Sequence, residues 1–313
     1  MNRHIHDYMY HGENRKDQFF EGWYFKHVSV DNNFSFALIP GISKNRDDPH
    51  AFIQLIMTPS MIVKYFRFDS HDFTTNEKPF FVKIKNNTFS FEKVHVQLKE
   101  GGFSFSAHIN YRRLTPIHQS FIFPNIMGPF SYLPKMECNH GVISMNHVFS
   151  GELRVNDNLY HFHNEKGYIE KDWGISFPKK YVWLQCNHFK DNTLSMMGSI
   201  ALIPYLTMSF EGIIFNIVFN NKEYRFATYN FSTFKLEKTD ENTRKIVLKK
   251  GKYRCEITAT ITKVASLKSP RFGKMSELIK EGLEGEISLT LYKDNQLIVS
   301  SKGNHAGVEF VGY

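Results

Sequence analysis

The chain has 313 residues with net charge +8, and 22% of them are charged. At roughly 150 residues per domain that length suggests two domains. The basic residues are scattered in pairs such as Arg112-Arg113, Lys179-Lys180 and Lys249-Lys250, with no run of five or more. Dispersed charge of this kind excludes a dedicated nucleic-acid interface and leaves peripheral contact with an anionic membrane surface open.

The first twelve residues, MNRHIHDYMYHG, lack the apolar core of a secretory signal. Cys138, Cys186 and Cys255 are odd in number and form no C-x-x-C, so the reading expects a reducing, cytoplasmic location rather than a disulfide framework. Aromatic residues make up 15% of the chain, with 30 Phe and 15 Tyr, which favours strands and wide apolar interiors.

Taken in order, "FSFALIP", "AFIQLIM", "TFSFEKVHVQL", "GFSFSAHINY", "YVWLQCNHF", "IIFNIVF" and "EISLTLY" are short aromatic and β-branched runs bounded by turn residues. The uncharged run from Asn192 to Phe210 contains Gly198 and Pro204 and reads as a hairpin rather than a membrane span. Only "KMSELIKEGLEG", residues 274–285, has a helical pattern. The predicted class is all-β, of barrel or sandwich type.

The halves repeat each other. Trp23 and Trp183 are 160 residues apart, as are Asp31 and Asp191, and "ALIP" recurs at 37 and 201. "YFRF" at 65 matches "YRFA" at 224, "KEGGFSFSAHI" at 99 matches "KKGKYRCEITATI" at 249, and "GELRV" at 151 matches "GEISL" at 285. Shared order implies internal duplication. Each half closes on a Gly–Glu strand, at Glu170 and Glu309, so the expected domains are 1–170 and 171–313. The stretch "GYIEKDWG", 167–174, then falls at the seam, where ligand sites are favoured.

On a strand, Tyr168, Glu170 and Asp172 share one face, and Ile169, Lys171 and Trp173 the other. Two carboxylates about 6.5–7 Å apart in a partly buried place can divide into an acid and a base. The competing reading is a solvated strand end with Lys171 neutralising the pair. In "FFEGWYFK", Glu21 shares a face with Trp23 and Phe25, as an internal acid or a residue just outside the strand. In "YVWLQCNHF", Trp183, Gln185 and Asn187 form a polar-lined face. "CNH" at 138–140 and again at 186–188 offers Cys and His ligands for zinc, but Cys-x-His on a strand does not make a knuckle. "HIH" at 4–6 and "HFH" at 161–163 read as exposed histidines. No Walker, dinucleotide, G-x-S-x-G or H-E-x-x-H motif occurs.

"FEGWYFK", "GPFSYLPKMECNHGVISM", "GYIEKDWGISFPKKYVWLQCNHF" and the ending "HAGVEFVG" closely resemble the tocopherol cyclase family. The resemblance runs along almost the whole chain. It implies two lipocalin-like β domains, akin to carotenoid hydratases and AttH-like proteins, and a chemistry in which a phenol oxygen adds to a prenyl double bond. Such a site needs an acid, for which Glu170 or Asp172 is proposed. It needs aromatic faces for a tertiary cation, offered by Trp23, Trp173 and Trp183. It needs a polar group for the oxygen, offered by Gln185, Asn187 or His188, with Tyr168, Glu21 and Glu309 as further lining. No cofactor and no metal are expected, and the partner is a hydrophobic small molecule. The Lys-, Asn-, Ile- and Phe-rich composition is that of AT-rich bacterial chains and points to a prenylated or polyunsaturated substrate other than a tocopherol precursor. The alternative is a non-catalytic lipocalin-like carrier. Oligomeric state is not legible.

Overall fold

The computed structural model describes residues 6–77, 80–134, 136–205 and 207–313. It is all-β and forms two large curled antiparallel sheets. The first is built from β1 (Phe19–Ser29), β2 (Phe34–Lys44), β3 (His50–Met57), β4 (Ile62–Phe68), β5 (Phe73–Glu77), β6 (Phe80–Ile84), β7 (Asn87–Ser90), β8 (Lys93–Glu100), β9 (Phe103–Arg112), β10 (Cys138–Val155) and β11 (Asn158–Gly174). The second is built from β12 (Tyr181–Cys186), β13 (Ser195–Tyr205), β14 (Met208–Phe219), β15 (Lys222–Ala227), β16 (Thr233–Lys238), β17 (Thr243–Lys250), β18 (Tyr253–Thr260), β19 (Ala265–Arg271), β20 (Lys274–Lys293) and β21 (Gln296–Val311).

The chain divides into two compact units. One comprises Met1–Ile117, Cys138–Phe177 and Lys268–Leu278, and the other His118–Glu137, Pro178–Leu267 and Ile279–Tyr313. Residues 167–174 therefore lie inside the first unit.

The duplication is visible in the strand paths. The first sheet runs β4-β3-β2-β1-β11-β10-β9-β8 before its last three strands, and the second runs β15-β14-β13-β12-β21-β20-β18-β17 before β16. In both, the opening strand lies between the second strand and the closing strand. The matched segments fall on matched elements: "YFRF" on β4 and "YRFA" on β15, the Gly turns at 101 and 251 between β8 and β9 and between β17 and β18, and the "GELRV" and "GEISL" runs on the long strands β10 and β20.

The tryptophan match does not survive. Trp23 and Phe25 belong to the first core with Leu38, Ile53, Phe89 and Ile169. In the second unit the core takes Val182, Leu184 and Cys186, and Trp183 points to the opposite face of β12. A one-residue offset reverses every side chain on a strand, so identical letters 160 apart occupy opposite sides of their sheets.

The expected helix at 274–285 is strand β20. Its Met, Leu and Ile spacing is helical, but Gly282 and Gly285 weaken a helix and sit at register shifts against β21. There Gly282 pairs with Val308 and Gly285 with Ala306, so tertiary pairing overrides local propensity. The uncharged run 192–210 supplies β13 and the turn into β14, as expected of a hairpin. Among the described residues, no helix is long and apolar enough to cross a membrane.

Candidate functional site

Strand β11 is central in its sheet, hydrogen-bonded to β1 on one side and β10 on the other. Glu170 lies between Tyr24 and Val142, Lys171 between Trp23 and Gly141, and Asp172 between Gly22 and His140. Alternation then builds two different polar clusters on the two faces of one strand.

On the face of Tyr168, Glu170 and Asp172, the tyrosine hydroxyl donates to Glu170 Oε2 over 2.5 Å. His140, directly opposite Asp172 on β10, holds its Nδ1 2.8 Å from Asp172 Oδ1. Its Nε2 lies 3.4 Å from Glu170 Oε2, an ion-pair contact. The imidazole is thus clamped at both edges by carboxylates. Burial alone would lower the His140 pKa, but Asp172 and Glu170 outweigh it and hold it well above the ordinary histidine value. The flanking carboxylates thus favour the protonated form of His140. Burial, with the Glu170 charge, pushes the Tyr168 phenol well above its ordinary value. Tyr168 and Glu170 are buried, whereas the Asp172 side chain is 26% exposed. Water therefore reaches the cluster at Asp172.

On the core face, Lys171 and Glu21 form an ion pair of 2.6 Å with both side chains fully buried. Glu21 accepts the His11 backbone N–H at 3.0 and 2.9 Å. Lys171 donates to the Met9 carbonyl, and its ammonium lies 2.8 Å from His11 Nδ1. The same ammonium sits over the rings of Trp23 at 4.9 Å and Trp173 at 4.7 Å. The His11 ring stacks on Trp173 at 4.1 Å. Burial alone would raise the Glu21 pKa, but Lys171 and His11 outweigh it and hold it below the usual carboxylate range. Burial lowers the Lys171 pKa, with Glu21 acting in the other direction. Lys171 does not neutralise Glu170 and Asp172: it serves Glu21 on the other side of the sheet.

The residues singled out from sequence therefore fall into three groups. Tyr168, Glu170 and Asp172 come together around His140. Glu21, Trp23 and Trp173 come together around Lys171 and His11. In the second unit, Trp183 is the cross-strand partner of Glu309, and Gln185 faces Gly307. There the Tyr181 hydroxyl donates to Glu309 Oε2 at 2.6 Å, and His188 Nδ1 lies 2.8 Å from Asn187 Oδ1. Gln185 and Asn187 are buried and His188 is half-buried.

His140 entered the sequence reading only as a zinc ligand beside Cys138. Its real partners, Glu170 and Asp172, are 30 and 32 residues away in sequence, and only the β10–β11 register brings them to His140. His11 gave no strand or motif signal at all. His140, Glu170 and Asp172 form the one group of potential metal ligands among the described residues, and it includes no cysteine. The two carboxylates approach opposite ring nitrogens of His140, which suits an imidazolium rather than a shared ion. Cys186 is buried in the second core, where its thiol faces the Asn304 carbonyl. His161 and His163 are exposed, and His4 lies outside the described residues.

Residues 119–312 match the family model described as tocopherol cyclase-like. A protein of Oryza sativa subsp. japonica, named as a probable chloroplastic tocopherol cyclase, is 23% identical over 184 residues, which is 58% of this chain and 38% of that one. The chloroplastic tocopherol cyclase of Zea mays is 31% identical over 62 residues, 20% of this chain and 13% of that one. The alignments thus span well under half the length of these plant relatives. Among solved structures, an AttH-like protein of Nitrosomonas europaea matches with TM-score 0.56 and 12% identity over 93% of this chain and 92% of that chain. Kievitone hydratase of Nectria haematococca matches with TM-score 0.55 and 11% identity over 93% and 88%. These two likenesses show the shared fold, and the family match covers more than half of the sequence: the chain belongs to the tocopherol cyclase-like family.

Proposed function

We propose that this protein is a cyclase- or hydratase-type enzyme acting on an apolar, prenylated substrate, with Glu170, Asp172 and His140 as its acid–base centre. The family and the hydratase among its structural neighbours support the reaction class. The observation that carries the reading is the His140 ring held between the carboxylates of Glu170 and Asp172 on one face of β11, a setting that favours its protonated form.

The reaction requires that a proton reach the less substituted carbon of a trisubstituted alkene and that an O–H oxygen bond to the tertiary carbon. The O–H proton leaves to a base, so the net change is isomerisation when the oxygen is the substrate's own phenol and hydration when it is water. The proton held on His140 between the carboxylates passes through Asp172, which solvent reaches, to the alkene, and the proton that Glu170 takes from the attacking oxygen restores His140. Glu170 already accepts from Tyr168 and faces the His140 ring. An acceptor so placed suits removal of the proton from the attacking oxygen. General acid–base groups of this kind contribute about 10²–10⁴-fold to rate.

The test is turnover of a prenylated hydroquinone in D₂O, followed by mass spectrometry. One deuterium on carbon in a product isomeric with the substrate, or in its hydrate, is expected. Glu170→Gln, Asp172→Asn and His140→Gln should each lower kcat by about a hundredfold or more while circular dichroism stays unchanged. Wild-type rates in all three would remove the cluster from the mechanism. Tight binding without any product would instead establish the carrier reading.

A further inference from the structure

Large exposed apolar side chains are concentrated on three turns of the second unit. Phe121 is 78% and Ile122 60% exposed on the segment before β10, Met208 is 75% exposed at the β13–β14 turn, and Phe231 is 92% exposed after the short 3-10 turn Thr228–Asn230. Half-exposed Tyr132 and Leu133 join them.

These turns are neighbours. Phe121 lies 6.3 Å from Tyr132, whose hydroxyl donates to the Phe121 carbonyl at 2.5 Å. Beneath them, Phe123 meets Tyr229 at 5.5 Å, Tyr229 meets Phe130 at 6.1 Å, and Phe130 meets Phe210 at 6.1 Å. The Tyr229 hydroxyl donates to the Ile126 carbonyl at 3.0 Å. A half-buried aromatic string thus links the turns whose outer residues are bare.

Charge is missing from all three. No Asp, Glu, Lys or Arg occurs in 118–134, 203–210 or 226–234. At the start of β12, Lys179 is exposed and Lys180 lies 3.6 Å from Glu211, the residue after Phe210. Single exposed apolar residues are ordinary, but several on linked, uncharged turns mark an interaction surface.

We infer that this end of the second unit docks on a lipid bilayer, with Phe121, Ile122, Met208 and Phe231 inserting and Tyr132 at the interfacial level. The exposed side chains stand on three turns rather than along one strand face, and a fluid phase accepts such protrusions without shape complementarity. A tyrosine beside inserted apolar residues suits the headgroup boundary. The net charge of +8 complements an anionic surface. The inference is independent of the acid–base centre, since none of these residues belongs to it.

The experiment is co-sedimentation of the full chain with vesicles of phosphatidylcholine alone and of phosphatidylcholine mixed with phosphatidylglycerol. Binding to the mixed vesicles is expected to be stronger and to weaken with salt. Phe121→Ser with Ile122→Ser, and separately Phe231→Ser, should lower partitioning at least about tenfold to both vesicle types, with thermal unfolding unchanged. Failure of the wild type to bind, or equal binding by the variants, would overturn the inference. So would light scattering that shows a wild-type dimer and monomeric variants without vesicle binding, which would assign the patch to self-association.

Discussion

Lys171 is fully buried, and its charge is met by Glu21, the Met9 carbonyl and two indole faces. A buried pair of this kind adds little net stability over well-packed apolar residues, because desolvation offsets attraction. Breaking one partner is another matter, since the other charge stays buried and alone. Lys171→Met and Glu21→Gln should each cost about 3–5 kcal/mol in urea unfolding. The double variant should cost clearly less than the sum of the two. Additive losses, or single losses near zero, would show that the two groups do not depend on each other. Much of this was readable from letters: alternation placed Lys171 with Trp173 and away from Glu170, and Glu21 with Trp23. The partnership across β1 and β11 was not readable, because nothing in either segment fixes the register at which Trp23 meets Lys171. His140 was hidden for the same reason, as its distance from Asp172 is set by strand pairing.

At the scale of elements, the long strands β10 and β11 place the candidate site, and they stay paired through irregularities rather than by straight register. Shifts occur at Val142/Ser144, Ser144/His147 and Phe149/Gly151. Gly151 takes φ +148°, and a Cβ there would collide with the His108 carbonyl on β9. That obstacle is backbone, so no side chain can turn aside. Gly151→Ala should therefore cost about 2 kcal/mol or more, read as a lower denaturant midpoint. Gly251, also at positive φ but with open space around it, should accept Asn with a smaller loss. Equal effects at the two sites would mean that β10 can shift at its bulge. Bulges leave weak traces in sequence because one extra residue in a run of apolar letters changes no composition. This is also why β20 read as a helix: its two glycines were visible, but their use as bulges against β21 depends on a partner 20 or more residues away.

At the scale of the whole molecule, the duplicated strand order was legible because turn glycines and paired acidic turns recur in sequence order, while facing was not, because a period of two is blind to one-residue slips. The first unit's core adds a property that belongs to the folded chain as a whole. His27 and His147 are both buried, joined through Tyr111, whose hydroxyl lies 2.6 Å from His27 Nε2 and whose ring lies 4.8 Å from that of His147. Burial, with the neighbouring His147, holds the His27 pKa well below its ordinary value, and burial lowers His147 to about 3. In the unfolded chain both titrate near 6.5. As pH falls below about 6.5, the unfolded state takes up protons that the folded core refuses, so stability must fall. Each histidine contributes a slope of about 1.4 kcal/mol per pH unit in that window, and for His147 it ends near pH 3. His140 has the opposite sign: its raised pKa gives stability that is complete below about 6.5 and is lost as pH rises from there through its folded value. Acid sensitivity should therefore come from the core pair and not from the candidate site. Urea unfolding between about pH 6 and pH 4.5, below the unfolded histidine value of about 6.5, should show His147→Gln with a visibly shallower pH slope than wild type and His140→Gln with a nearly unchanged one. A wild-type slope in His147→Gln would mean that this imidazole is charged, or reached by water, in the folded protein.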